Sequence, residues 1–512
     1  MYRGGQKGSI TVFLSLTCIL FLALICTVIE SARVQGAKAQ TANILGMGNI
    51  SLLGEFEKEL LERYEVFALD GAYGSGKFQT GKIKERMETF LTLNTSPNTE
   101  GISSLCFDPW NLDLSETKIE KYALLTDNKG EAFYQQVVAF MKQNIGLFAV
   151  EELMEYRDAV DEIREYENTY EQKQKENDGS MSALEGEKQK KIEALESEAA
   201  AQVIEDPGTA VEVVPQEETV NPLKEIAKLR KKSTLDLVTW DKSISGKRLT
   251  GSGLPSRSSL RKGTMSLEKE HSGVTANVLF REYLIRYFSN YLEHEEEDPV
   301  DYQIEYLIGG KKSDKENLKY VVNRLLLIRE GMNYLYCLSN QQISGQANAL
   351  AVSLTGFLGI PALTAATGQA LLLAWAYGES LLDVRILLDG GKVPLNKDAL
   401  SWSLSLENLG RLTELLQTGA DKNSEGLSYS EYLRILLHMG NLSSQKMRAL
   451  DLIQTELQEN GDLPEFQAQN CVVAVKTSAS WNCKEVFWRL PMAVMGFGSK
   501  TITISQEGSI GY

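Results

Sequence analysis

The stretch "GSITVFLSLTCILFLALICTVIE", residues 8–30, carries no charged side chain from Ser9 to Ile29. At about 1.5 Å per residue, a helix over those positions spans the ~30 Å hydrocarbon core of a bilayer. The apolar region of a secretory signal runs only about 7–15 residues, so the length favours a retained anchor over a cleaved signal. A small-x-small site, Ala37-Lys38-Ala39, lies well past Ile29 and inside a predicted helix. Arg3 and Lys7 precede the span and Glu30 follows it, with Arg33 and Lys38 farther on. The positive-inside rule then sets the N-terminus in the cytoplasm. The expected topology is a leader over 1–8, a transmembrane helix over 9–29 held in membrane lipid, and an extracytoplasmic body. This describes a single-pass protein of the cell membrane.

Beyond the span, residues 30–64 read as a helical stalk. Val34, Ala37, Thr41, Ile44 and Leu45 recur at three-to-four spacing, and Leu53, Phe56 and Leu60 resume the stripe. Gly46, Gly48 and Gly54 weaken a helix by about 1 kcal/mol each relative to alanine, so breaks are expected there. Small residues along the stripe permit close helix approach, which allows a homo-oligomer through the stalk. The simpler expectation, favoured by the spacing, is a helix packed on its own domain.

Composition narrows the classes of function. The 512 residues carry a formal charge of -16, which excludes a nucleic-acid partner, because phosphate contacts require clustered Lys and Arg. There are six cysteines and only three histidines, His271, His294 and His438, and no C-x-x-C pair. A structural zinc site is therefore not expected, and no cofactor signature is found. Cys471 and Cys483 are candidates for a disulfide closing a hairpin-sized loop, the alternative being two unpaired buried thiols.

The expected class is α+β, mostly α, with small β elements near 66–80 and 468–510. Residues 65–150 read as an α+β segment in which 66–80 is a strand, a glycine turn and a second strand, while 115–149 is helical. Residues 151–270 read as a charged helical insertion with disordered linkers. Its first 50 positions, 151–200, hold 16 acidic against 7 basic residues. Leu153, Tyr156, Val160, Ile163 and Tyr170 form a stripe there that suggests a helical hairpin or short coiled coil. A helical domain follows over 276–460. No charge lies between Glu330 and Glu379, but Pro361 divides that run into two helices too short to cross a bilayer comfortably. Residues 461–512 alternate or are β-branched and read as a C-terminal β element.

Chemistry is sparse. GAYGSGK (71–77) satisfies G-x-x-x-x-G-K, yet Phe78 stands where a phosphate loop needs a Mg²⁺-binding hydroxyl, so a hairpin turn is expected. "LEHEEEDPVD" (292–301) lacks calcium-loop spacing and reads as a solvated acidic loop. Glu379 and Asp383, at i and i+4 with Arg385 nearby, could share a helix face. They serve either as functional carboxylates or, preferably, as part of a carboxylate–arginine network tying helices together. No catalytic residue is assigned, and no enzyme is expected.

The N-terminal segment "ESARVQGAKAQTANILGMGNISLLGEFEKELLERYEVFALDG", behind an anchor opening Gly-Ser-Ile-Thr-Val, resembles the start of TadE/TadG-like pilus-assembly proteins. Together with "FREYLIRYFSNYLE", "AWAYGESLLDVRILLDGGKVPL" and "YSEYLRILLHMG", it is similar to a family of unknown function in Gram-positive bacteria. The resemblance implies processing between Gly8 and Ser9. It also implies partners among envelope or pilus-like assembly proteins. Phe13 stands at the fifth position from Ser9, where pilin-like subunits place glutamate, and this argues against filament incorporation. The function expected is a non-enzymatic, membrane-anchored assembly component. The alternative is a surface-anchored hydrolase using carboxylates on cell-wall or peptide substrate.

Overall fold

The computed structural model describes residues 7–95, 109–205, 221–240, 242–251, 253–295, 298–418, 425–488 and 501–512. Leader residues 1–6, Cys106, and the linker prolines Pro207 and Pro215 lie outside the described residues. The chain is α+β, mostly α, and divides into two compact units.

The first unit comprises Met1–Phe140, Gly253–His271 and Ile453–Tyr512. Its helices are α1 (Lys7–Leu53), α2 (Lys58–Tyr64), α3 (Thr80–Thr95) and the start of α4 (Asp127–Asn144). Its strands are β1 (Leu69–Asp70), β2 (Leu112–Leu124), β3 (Cys471–Lys484) and β4 (Thr501–Gly511). Strand β3 is central and antiparallel to all its neighbours. It has β2 along one edge, and β4 and the short β1 end to end along the other.

Helix α1 is long and apolar enough to cross a membrane. Its large apolar side chains from Ile10 to Ile29 are each 41–73% exposed. Burial begins at Glu30 and continues through Arg33, Ala37, Thr41, Ile44, Leu45, Asn49, Leu52 and Leu53. That three-to-four stripe packs with Ile83, Met87 and Leu91 of α3 against Val475, Ala479 and Trp481 of β3. The stalk is thus one unbroken helix to Leu53, and Gly46 and Gly48 do not interrupt it. Its stripe is filled from within the same chain. Gly36 is required by close approach, since a Cβ there would lie 2.3 Å from the Trp110 ring.

The second unit comprises Met141–Ser252 and Ser272–Leu452. Its helices are α5 (Leu147–Glu205), α6 (Pro222–Leu229), α7 (Thr234–Thr239), α8 (Val274–Tyr287), α9 (Gln303–Gly309), α10 (Asp314–Ser339), α11 (Gln341–Thr355) and α12 (Pro361–Leu388). These are followed by α13 (Leu412–Thr418), α14 (Tyr429–Met439) and the first part of α15 (Leu442–Glu459). Helix α12 is buried on every side from Leu371 to Leu388, apart from solvent-touching edges, and α10 packs along it. Ser428 and Glu431 form a capping box at the start of α14.

Several expectations are corrected. Residues 115–124, expected to be helical, belong to strand β2. Bulges after Leu114, Ile119 and Ala123 shift its register, so its buried residues lose the period of two that marks a strand. The 71–77 turn leads into helix α3 rather than a second strand. Residues 151–205 are a single helix, not a hairpin, and Val160, Ile163, Glu167, Tyr170 and Asn177 face its neighbours. The stripe seemed to end because it includes polar residues. Glu167, for example, is paired with Arg324 at 3.0 Å. Nor is 151–270 an insertion. Helices α5 to α7 pack into the second unit, and 253–271 belongs to the first, where Gly263 N donates to Asp127 at 2.9 Å.

Candidate functional site

The most charged interior point of the second unit contains both carboxylates that the sequence singles out. Helix α12 projects Glu379 and Asp383 one turn apart, and α10 brings Arg329 and Asn333 opposite them. Arg329 Nε donates to Asp383 Oδ2 at 3.0 Å, and Asn333 Nδ2 donates to the same oxygen at 2.8 Å. Lys397, from the loop after α12, bridges the two carboxylates, 2.6 Å from Glu379 Oε1 and 2.7 Å from Asp383 Oδ1. The second oxygen of Glu379 accepts from Leu404 N at 2.8 Å, and Ser403 N donates to the first at 3.0 Å. Arg329 also donates to the Pro394 and Leu395 carbonyls at 3.0 and 2.8 Å, and to Tyr432 OH at 3.1 Å.

Two carboxylates thus face two cations, and each of the four side chains is at most 2% exposed. Burial pushes the Asp383 carboxyl upward, but Arg329, Lys397 and Asn333 outweigh it and hold it below the usual carboxylate range. The centre is charge-balanced and closed off from solvent. What it does is fasten the 393–404 loop to α10 and α12. Two indoles reinforce the same loop, since Trp375 and Trp402 both donate to the Leu404 carbonyl, at 2.7 and 2.8 Å.

Of the residues expected here, Glu379 and Asp383 come together, but Arg385 does not join them and lies 3.7 Å from Asp389. Sequence reasoning missed Arg329 and Lys397, which lie 54 and 14 positions from Asp383 and share no helical period with it. Of the two alternatives for the C-terminal cysteines, the structure has the buried thiols and not the disulfide. Cys471 and Cys483 are unbridged thiols, both buried, at opposite ends of one strand. Roughly 40 Å of extended chain separates them, against about 7 Å for a bridgeable pair. Gly8 and Ser9 lie in the first turn of α1. The GAYGSGK loop holds no anion cradle, because Asp70 already accepts from Ala72 N and Gly74 N at 2.9 and 2.7 Å. No metal-type cluster occurs among the described residues.

One polar cleft of about 240 Å³ opens between α5, α8 and α14, lined by Arg157, Arg164, Arg281 and His438. Burial and the adjacent Arg281 and Arg157 push His438 down to about 3, so it is a neutral imidazole near pH 7.

Fold and site together define an α+β protein with an exposed apolar N-terminal helix and a buried structural charge centre. The chain belongs to DUF5702, a family of unknown function, whose model matches residues 212–483, more than half of the length. No curated protein and no solved structure matches it.

Proposed function

We propose that the chain is a single-pass, membrane-anchored envelope protein whose body faces away from the cytoplasm and serves a pilus-like or secretion-related assembly. The observation that carries this reading is the sharp change along α1, from exposed large apolar side chains through Ile29 to burial at Glu30. A soluble protein would not leave 13 such side chains uncovered in one helical run. The resemblance of residues 1–75 to TadE/TadG-like pilus-assembly proteins suggests the assembly class. The closed, charge-balanced setting of Glu379 and Asp383 favours a non-enzymatic role over a hydrolase acting through them.

Crosslinking in the native cell, followed by immunoprecipitation of the tagged protein, tests the proposal. Recovery with pilus-like or secretion components supports it. Recovery with none of them, together with hydrolysis of a wall polymer by the purified protein, overturns it.

A further inference from the structure

Glu30 and Arg33 mark the point where α1 passes from exposure to burial, and they do more than pair with each other. Arg33 Nη2 lies 2.6 Å from Glu30 Oε1 and donates to the Lys484 carbonyl at 2.7 Å. Its Nη1 donates to the Trp110 carbonyl at 2.7 Å and the Pro109 carbonyl at 3.3 Å. Glu30 Oε2 accepts from Phe487 N at 2.9 Å and from Val486 N at 3.4 Å. Burial raises the Glu30 carboxyl, but the Arg33 hydrogen bond and these backbone donors outweigh it, and its pKa falls. The start of β2 and the end of β3 are therefore tied to the helix within one turn of Ile29.

That position has a fixed height if residues 9–29 cross the bilayer, which is the reading proposed above and on which this inference rests. At about 1.5 Å per residue, Glu30 and Arg33 lie within ~6 Å of the hydrocarbon edge, inside a headgroup layer about 5–8 Å deep. Trp110 packs on Gly36 roughly one further turn away. The residues held there are Pro109, Trp110, Val486, Phe487 and Trp488, and each retains some exposure. Tryptophan and other aromatic rings favour this layer, with an apolar body toward the chains and a polar edge toward water. Lys484 beside them is exposed, and its ammonium is paired with Asp113.

We propose that this end of the sheet is a membrane-seating surface. In it Trp110, Phe487 and Trp488 lie in the lipid headgroup layer, and the first unit rests directly on the bilayer rather than standing off on a free stalk. The Glu30–Arg33 pair is the clamp that sets this height.

The test uses the full chain reconstituted in phosphatidylcholine vesicles containing lipid brominated near the glycerol end, which quenches nearby tryptophan. Trp488→Phe should lose a clear share of the bromolipid-dependent quenching, and Trp110→Phe/Trp488→Phe at least half of it. Variants that float with vesicles and unfold like the parent, yet show the parent's quenching, overturn the seating surface while leaving the anchor intact. A parent protein that fails to float with vesicles overturns the anchor and the seating surface together.

Discussion

Asp383 faces one arginine, one lysine and one asparagine, and its side chain is 0% exposed. Replacing it with asparagine keeps the shape but leaves Arg329 and Lys397 sharing the single charge of Glu379. Removing one member of a buried ion pair costs about 3–5 kcal/mol, and Asp383→Asn or Lys397→Met should destabilise the second unit by that order. Urea unfolding followed through the near-UV signal of Trp375 and Trp402 reads the loss. A variant as stable as the parent would contradict a structural role. Glu305 behaves in the opposite sense. It is 0% exposed and takes hydrogen bonds from Tyr429 OH at 2.6 Å and Tyr291 N at 3.0 Å. No cation neutralises it in those contacts, and burial with nearby Asp314 raises it from 4.5 to about 7. The folded state then binds the extra proton, so the contribution of Glu305 to stability is full below 4.5 and is lost as pH rises to about 7. Glu305→Gln should flatten that decline, leaving the variant more stable than the parent at pH 8 and no more stable at pH 4. The pairing of Glu379 with Asp383 was legible in the sequence because both lie on one helix face. Their cationic partners were not, since contacts between α10, α12 and a loop leave no local period.

At the scale of elements, two close approaches define how helices meet their supports. A Cβ at Gly36 would strike the Trp110 ring, and one at Gly331 would lie 3.0 Å from the Tyr166 backbone of α5. Gly331→Val should therefore force α5 away from α10 and cost about 1–3 kcal/mol, measured by thermal unfolding. Gly345→Ala, where a Cβ meets nothing within 4 Å, should leave stability unchanged or slightly raise it. The apolar helices α1 and α12 were legible, the first from its uninterrupted length and the second from the break that Pro361 imposes. Strand β2 was hidden by its bulges. The full run of α5 was hidden by Glu167 and Asn177, buried polar residues in its packed stripe, the first paired with Arg324 from distant sequence.

At the scale of the whole molecule, α1 joins an exposed apolar half to a half that forms the core of the first unit. The Glu30–Arg33 pair sits at the junction, and Arg33→Ala should leave Glu30 buried without its cation and loosen the first unit by about 3 kcal/mol. Melting of the membrane-reconstituted variant against the parent checks this. The central claim is that residues 9–29 cross the membrane with the body outside. The most direct test adds protease to intact protoplasts of the native cell, with the protein tagged at both termini. The account predicts loss of the C-terminal tag and survival of a short, membrane-bound N-terminal fragment that carries the other tag. A full-length chain protected until lysis, or a body recovered free of membrane without the apolar segment, would contradict it.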